Sequence, residues 1–242
     1  NVTEVNVSEA EIRNNPMSAF KLHVHVPPAV TADTVIFTIT DGKLKVLLVK
    51  RSRPPFVNSW ALPGGFVRET ETTEKTALRV LKDKAGVSSV YLEQLYSFDE
   101  PGRDPRGRVL TVAYFALVDF AKIKFVEEKN HEPSAFFGTR SLPKLAFDHA
   151  KIISYALQRL RYKVEYTNVI ANLLPRQFTL SQLQEAYEVI LGHKLDKRNF
   201  RKKFLTLGLV KPANAKVSGA RHRPAQLFSF SKGGMVELKR FF

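Results

Sequence analysis

The 242-residue chain contains no cysteine, which excludes disulfides, thiolate metal sites and cysteine nucleophiles while leaving the compartment open. It also lacks an apolar run long enough to cross a membrane and a charged-then-apolar leader, so the expectation is a soluble, unexported, cytoplasmic protein. Acidic residues are scarce in one part only. Residues 1–150 carry 20 Lys and Arg against 18 Asp and Glu, whereas residues 151–242 carry 18 against 5. Nearly all of the net charge of +15 therefore sits in the C-terminal part, which points to a polyanionic partner there, nucleic acid before membrane. A hydrophobic content of 44% is enough for the cores of one or two domains.

Residues 1–20 are polar and without a period, and read as a tail or arm. His23 and His25 alternate along an apparent strand, where exposed positions are a simpler reading than a metal site with no third ligand nearby. Alternating apolar residues predict strands over 34–40 and 44–50, joined by the short-hairpin signal Asp41-Gly42. Further strands are expected over 91–98, 109–118 and 135–138. Between 73 and 85 a helix is expected, ending at Gly86, and a second should begin near Leu145 with Asp148 suited to capping. The loop over 99–108 is dense in Arg, Gly and Pro, and guanidinium groups there suit phosphate oxygens; Arg106 and Arg108 are the candidates.

The segment Pro63-Gly64-Gly65 and the helix after it carry a family resemblance. Gly65, Glu71, Arg79, Leu81, Gly86 and Val87 fall in register with the Nudix hydrolase signature. Where that signature has its three metal-binding glutamates, this chain has Val80, Asp83 and Lys84. Those positions share one helical face, and valine and lysine supply no oxygen ligands for a divalent cation. The resemblance thus implies the fold without metal-assisted hydrolysis and with no required cofactor; Lys84 is a candidate to replace the metal's charge against a diphosphate. It also implies that Arg51 and Arg53, just before Trp60, line the cleft with Gly64 and Gly65. The segments Gly102–Arg108 and Leu145–His149 resemble those of ADP-ribose-type Nudix proteins, which adds His149 as a contact for ribose or phosphate.

From Thr167 onward short amphipathic helices follow. Thr179 and Gln182 have capping-box spacing before a helix that stops at Gly192, and Asp196 can cap a second whose Phe200, Phe204 and Leu207 are expected to face inward. Opposite them stand Lys197, Arg198, Asn199, Arg201, Lys202 and Lys203. A hairpin follows, with strands at 209–211 and 226–230 and a turn carrying Arg221, His222 and Arg223. Helix-turn-helix plus basic hairpin is the winged-helix plan for major-groove and backbone contact.

The order of these parts resembles the Nudix-related transcriptional regulator family, NrtR. The expected fold class is α+β: an arm over 1–20, a Nudix-type α/β/α sandwich with a mixed sheet over 21–162, and a winged helix-turn-helix over 163–242. The resemblance implies a bacterial, homodimeric repressor of NAD-metabolism genes that binds double-stranded operator DNA, responds to ADP-ribose or a related nucleotide, and is not an enzyme. An active pyrophosphatase on ADP-ribose or another nucleotide-sugar, with Asp83 and a nearby glutamate holding one metal, is the enzyme alternative, and an RNA-binding Nudix protein is the third.

Overall fold

The computed structural model describes residues 27–87, 90–124, 133–216, 225–231 and 234–238. The N-terminal arm, His23 and His25, and the basic turn with Arg221, His222 and Arg223 lie outside the described residues.

Strand β1 (Ala29–Thr40) is the axis of the first sheet. It begins at Ala29 rather than Thr34 because its first half is paired on both edges. There it runs parallel to β6 (Val109–Leu117) and antiparallel to the short β4 (Gly64–Phe66). Its second half pairs with β2 (Lys43–Lys50) through the Asp41-Gly42 turn. The short β3 (Trp60–Ala61) and β7 (Ser134–Gly138) extend β2, and β5 (Tyr91–Phe98) is antiparallel to β6, giving a mixed sheet.

Helices cover both faces. On one, Leu81 and Ala85 of α1 (Thr73–Ala85) pack with Ile36, Leu47, Ala116 and Val118. Helix α1 is capped by Thr72, whose hydroxyl accepts from the Lys75 amide at 3.1 Å, and it ends at Gly86 in the left-handed region with φ 64°. A side chain at Gly86 would also strike the Lys124 backbone, so two constraints require glycine there. On the other face, Ile152, Ile153, Ala156 and Leu160 of α2 (His149–Tyr166) join Val35, Phe37, Val46, Leu48 and Phe115. This is the expected α/β/α sandwich.

Helix α2 begins at His149, not near Leu145, because Leu145 is held in a bridge to Trp60 and Phe147 has φ 53°. Asp148 does not cap it with its side chain; its carboxylate is taken by Arg103. The helix passes unbroken through residues 162 and 163 to Tyr166.

The second unit follows a short 3₁₀ turn (Val169–Leu173). Helix α3 (Leu180–Leu191) starts with a complete capping box, with Gln182 N donating to Thr179 Oγ1 at 3.1 Å and Thr179 N to Gln182 Oε1 at 2.8 Å. It stops at Gly192 with φ 87°. Glu188 fixes the turn by accepting from Gln184, Lys194 and the Leu195 amide. Asp196 then caps α4 (Lys197–Thr206) through the Asn199 amide at 2.7 Å. Phe200 and Phe204 are buried against Tyr187. Leu207, expected inside, is exposed, since it lies beyond the last turn at the cap position. Strands β8 (Val210–Lys216) and β9 (Gln226–Phe230) form the hairpin. One apolar cluster runs from Val35 and Phe37 of the sheet to Leu183 and Tyr187 of α3, so the two units share a core.

Candidate functional site

The Pro63-Gly64-Gly65 turn places Gly64 opposite Asp33 on β1, where any side chain would collide with the Asp33 carboxylate. Gly65 has ordinary room, its nearest neighbours being Arg79 and Val80 at 3.7 and 3.8 Å from an added Cβ. Close approach thus demands glycine at 64 and not at 65. The following loop is braced by Glu71, which receives Arg79 Nε and Nη2 at 2.8 Å each and Thr76 Oγ1 at 2.9 Å. The Arg79 hydrogen bonds lead in holding the Glu71 carboxyl down to about 2.

A cleft of about 160 Å³ opens beside this turn. Of the sequence-predicted ligand residues, Arg51, Gly64, Gly65, Arg106 and His149 line it; Arg53, Lys84 and Arg108 do not. The Arg108 guanidinium is turned to the Asp99 carbonyl at the base of its loop. Arg53 is exposed in a loop that Arg51 organises. Lys84 occupies the last turn of α1, where a cation complements the helix dipole.

Phe147 lines the cleft between two arginines. The Arg51 guanidinium sits 4.9 Å from its ring centroid, and Arg106 sits 5.7 Å from it and 5.3 Å from that of Phe66. Arg51 is oriented by the Pro55 carbonyl at 2.8 Å, and Arg106 by a fork to buried Asp104 at 3.0 and 2.6 Å. Two pre-aimed guanidiniums beside aromatic faces suit an anionic ligand that also carries a ring.

Beneath them lies a cluster of which the sequence marked His149 as a ligand contact and Asp148 only as a cap, leaving Arg103 and Asp33 unmarked. Arg103, whose side chain is only 4% exposed, grips Asp148 at 2.7 and 3.0 Å and stands 3.8 Å from Asp33. His149 is buried, its Nδ1 accepting from the Leu62 amide at 2.8 Å and its Nε2 facing Asp33 at 3.8 Å. A neutral His149 therefore carries its proton on Nε2, and burial pushes its pKa below the usual histidine value. Asp33 lies one residue before the start that the apolar alternation predicts for its strand, and so falls outside the sequence reading. A carboxylate interrupting an apolar strand was the available signal. Phe66, Phe147 and Asp104 carried no comparable mark.

The family signature implies a divalent cation, and these residues do not fit one. Val80 is buried behind Gly65, Lys84 brings a positive charge, and Glu71 is engaged by Arg79 and Thr76. Among the described residues no group of three or more His, Cys, Asp or Glu is placed to hold a metal.

On α4, Lys197, Arg198, Asn199, Lys202 and Lys203 are exposed. Arg201 lies half-buried along α3, its Nη2 donating to Ser181 Oγ at 3.0 Å. The helix thus presents a cationic face while one of its arginines locks it to its neighbour. Among the described residues no helix is long and apolar enough to cross a membrane.

Comparison with known proteins matches residues 30–156 to the NUDIX domain family and residues 170–230 to the NrtR DNA-binding winged helix domain. An ADPR responsive transcriptional repressor of Acinetobacter baylyi is 40% identical over 208 residues, covering 84% of this chain and 82% of the relative. An ADP-ribose pyrophosphatase of Methanocaldococcus jannaschii is 36% identical over 146 residues, covering 60% and 82%. The crystal structure of Shewanella oneidensis NrtR complexed with a 27mer DNA aligns with a TM-score of 0.74 at 37% identity, covering 84% of this chain and 93% of that one. The NUDIX domain of that same protein, complexed with ADP ribose, aligns with a TM-score of 0.53 at 36% identity, covering 64% and 99%.

Proposed function

This chain belongs to the NrtR family, in which a NUDIX domain is joined to a DNA-binding winged helix, and from that premise we propose that it is an ADP-ribose-responsive transcriptional repressor. The carrying observation is that one polypeptide joins a cleft of paired guanidiniums and aromatic rings, lacking cation ligands, to a basic helix-turn-helix. The likeness to an ADPR responsive repressor over most of both chains supports the same reading.

In it, Arg51 and Arg106 take the diphosphate of ADP-ribose, with Gly64 and Gly65 allowing close backbone approach and Phe147 offering an apolar face. Arg198, Asn199 and Lys202 enter the major groove while Lys197 and Lys203 hold phosphates. The sensor ends with α2 at Tyr166 and the DNA-binding unit begins after it. Two copies related by a two-fold axis match the half-sites of a palindromic operator, and the regulated genes are those of NAD metabolism in the cytoplasm. ADP-ribose acts only by binding one arrangement of the two units better than another.

Titrating a labelled duplex from an NAD-metabolism promoter with the full chain, with and without ADP-ribose at one salt concentration, tests this. Sequence-specific binding whose affinity changes with ADP-ribose is expected. Binding without sequence preference and without response to ADP-ribose would overturn the reading. The likeness to the ADP-ribose pyrophosphatase of Methanocaldococcus jannaschii favours a second reading with the same ligand turned over. Sustained AMP release from ADP-ribose with Mg²⁺ distinguishes it; the box residues predict none.

A further inference from the structure

The first turn of α2 belongs to the cleft, and its later turns touch the DNA-binding unit. At one end, Asp148 and His149 are held by Arg103 and the Leu62 amide. The 18-residue helix then spans roughly 27 Å at 1.5 Å per residue. Near its other end, Arg161 Nε donates to the Ile190 carbonyl at 3.0 Å. Ile190 lies in the last turn of α3, where carbonyls lack partners within the helix and a cation is favoured. Arg140, from the loop after β7, adds a longer contact to the Gly192 carbonyl at 3.5 Å.

Beside this joint is a cavity of about 610 Å³, against about 160 Å³ for the cleft. It is bounded on the sensor side by Lys43, Arg140 and Ser141 and on the other by Glu185, Val189 and His193. Its lining is of mixed charge and names no ligand. What it supplies is open space between the two units beside the Arg161–Ile190 contact.

We propose that α2 is the rod coupling the cleft to the DNA-binding unit, and that Arg161 is the positioning residue at its output end. Arg103 lines the cleft and is gripped by Asp148. An anionic ligand competes with that carboxylate for the guanidinium, shifts the first turn of α2, and the shift reaches α3 through the Arg161–Ile190 hydrogen bond. A rigid helix carries such a displacement because packed cores settle in discrete arrangements and do not deform continuously. This inference rests on the reading of the cleft as an ADP-ribose site.

The test uses the full chain, ADP-ribose, and a duplex selected on the wild-type protein from a randomised pool. Arg161→Met keeps the apolar stem and removes the donor; Arg161→Lys restores a cation at that place. The readout is the ratio of duplex Kd values with and without ADP-ribose, alongside calorimetric ADP-ribose affinity and a thermal melt. In Arg161→Met, ADP-ribose affinity is expected to stay within about two-fold of wild type, while the ratio moves toward one by about five-fold or more; Arg161→Lys recovers part of it. An unchanged ratio in Arg161→Met, with a clear effect in wild type, overturns the rod and leaves the sensor reading standing. A wild-type ratio of one overturns both. Should Arg161→Met melt early, Arg161→Gln, a shorter polar side chain without the guanidinium Nε donor, replaces it, with a fall in the ratio again expected and an unchanged ratio counting against the proposal.

Discussion

The imidazole of His149 accepts its hydrogen bond from Leu62 while buried at the base of the cleft, so protonation at Nδ1 would break that bond and set two donors against each other. Burial is the leading cause of its lowered pKa, ahead of the opposing pull of Asp33 and Asp148. The unfolded chain therefore binds this proton more readily than the folded one. Stability from this group is present above the unfolded histidine value of about 6.5 and is lost as pH falls below it. Urea midpoints measured from pH 7.5 down to 5.5 are expected to decline. His149→Asn, which keeps an acceptor near the Leu62 amide and does not titrate, is expected to decline less. An identical slope in the variant would assign the pH dependence to another group. Because Leu62 leads directly into Pro63-Gly64-Gly65, acid should also loosen the cleft, and ADP-ribose affinity measured over the same range should fall with the midpoints.

Among the elements, those with punctuation in the sequence were the legible ones. Thr179 with Gln182, Gly192 and Asp196 marked the helix-turn-helix, and the structure shows each making its cap. Helix α1 was equally plain, from its period and Gly86. The start of β1 was not, because pairing with β4 and β6 extends it through polar Thr31 and Asp33, and pairing is a tertiary fact. The cleft was half legible for the same reason. Gly64 and Arg106 sit in recognisable turns, but Arg103 differs from Arg106 and Arg108 only in what the fold brings beside it, Asp148 from 45 positions away. Leu207 shows the opposite error, where the apolar period ran on past the end of the helix. The structure also separates two arginines that the sequence treated alike. Arg198 is exposed on α4 while Arg201 is tied to Ser181 on α3. Arg198→Ala should weaken specific duplex binding by about 1–3 kcal/mol if it reads a base, with no change in melting temperature. Arg201→Ala should lower the melting temperature as well. Differential scanning calorimetry beside duplex titrations checks both, and a melting loss in Arg198→Ala but not Arg201→Ala would reverse the assignment.

For the whole molecule, the decisive property is that charge is divided unequally between two units that share one core. With the boundary at Tyr166, residues 167–242 hold 14 Lys and Arg against 4 Asp and Glu, a far larger excess for their length than the 24 against 19 of residues 1–166. A duplex meets the first as a polyanion whose condensed counterions are released on binding, at about 0.9 ions per phosphate neutralised. On the proposed reading ADP-ribose meets only the few guanidiniums of the cleft, themselves already partnered by Asp104 or by carbonyls. Salt must therefore weaken the two interactions to different degrees. Plots of log affinity against log salt should be much steeper for duplex than for ADP-ribose, and Lys202→Ala should reduce the duplex slope by about one if that lysine contacts a phosphate. The ligand slope should not respond to that substitution, because Lys202 belongs to α4 and the cleft is built from the sheet, its loops and the start of α2. Equal slopes for the two ligands would mean that the C-terminal charge is a solvated surface, and that duplex binding, if present, is carried by some other face.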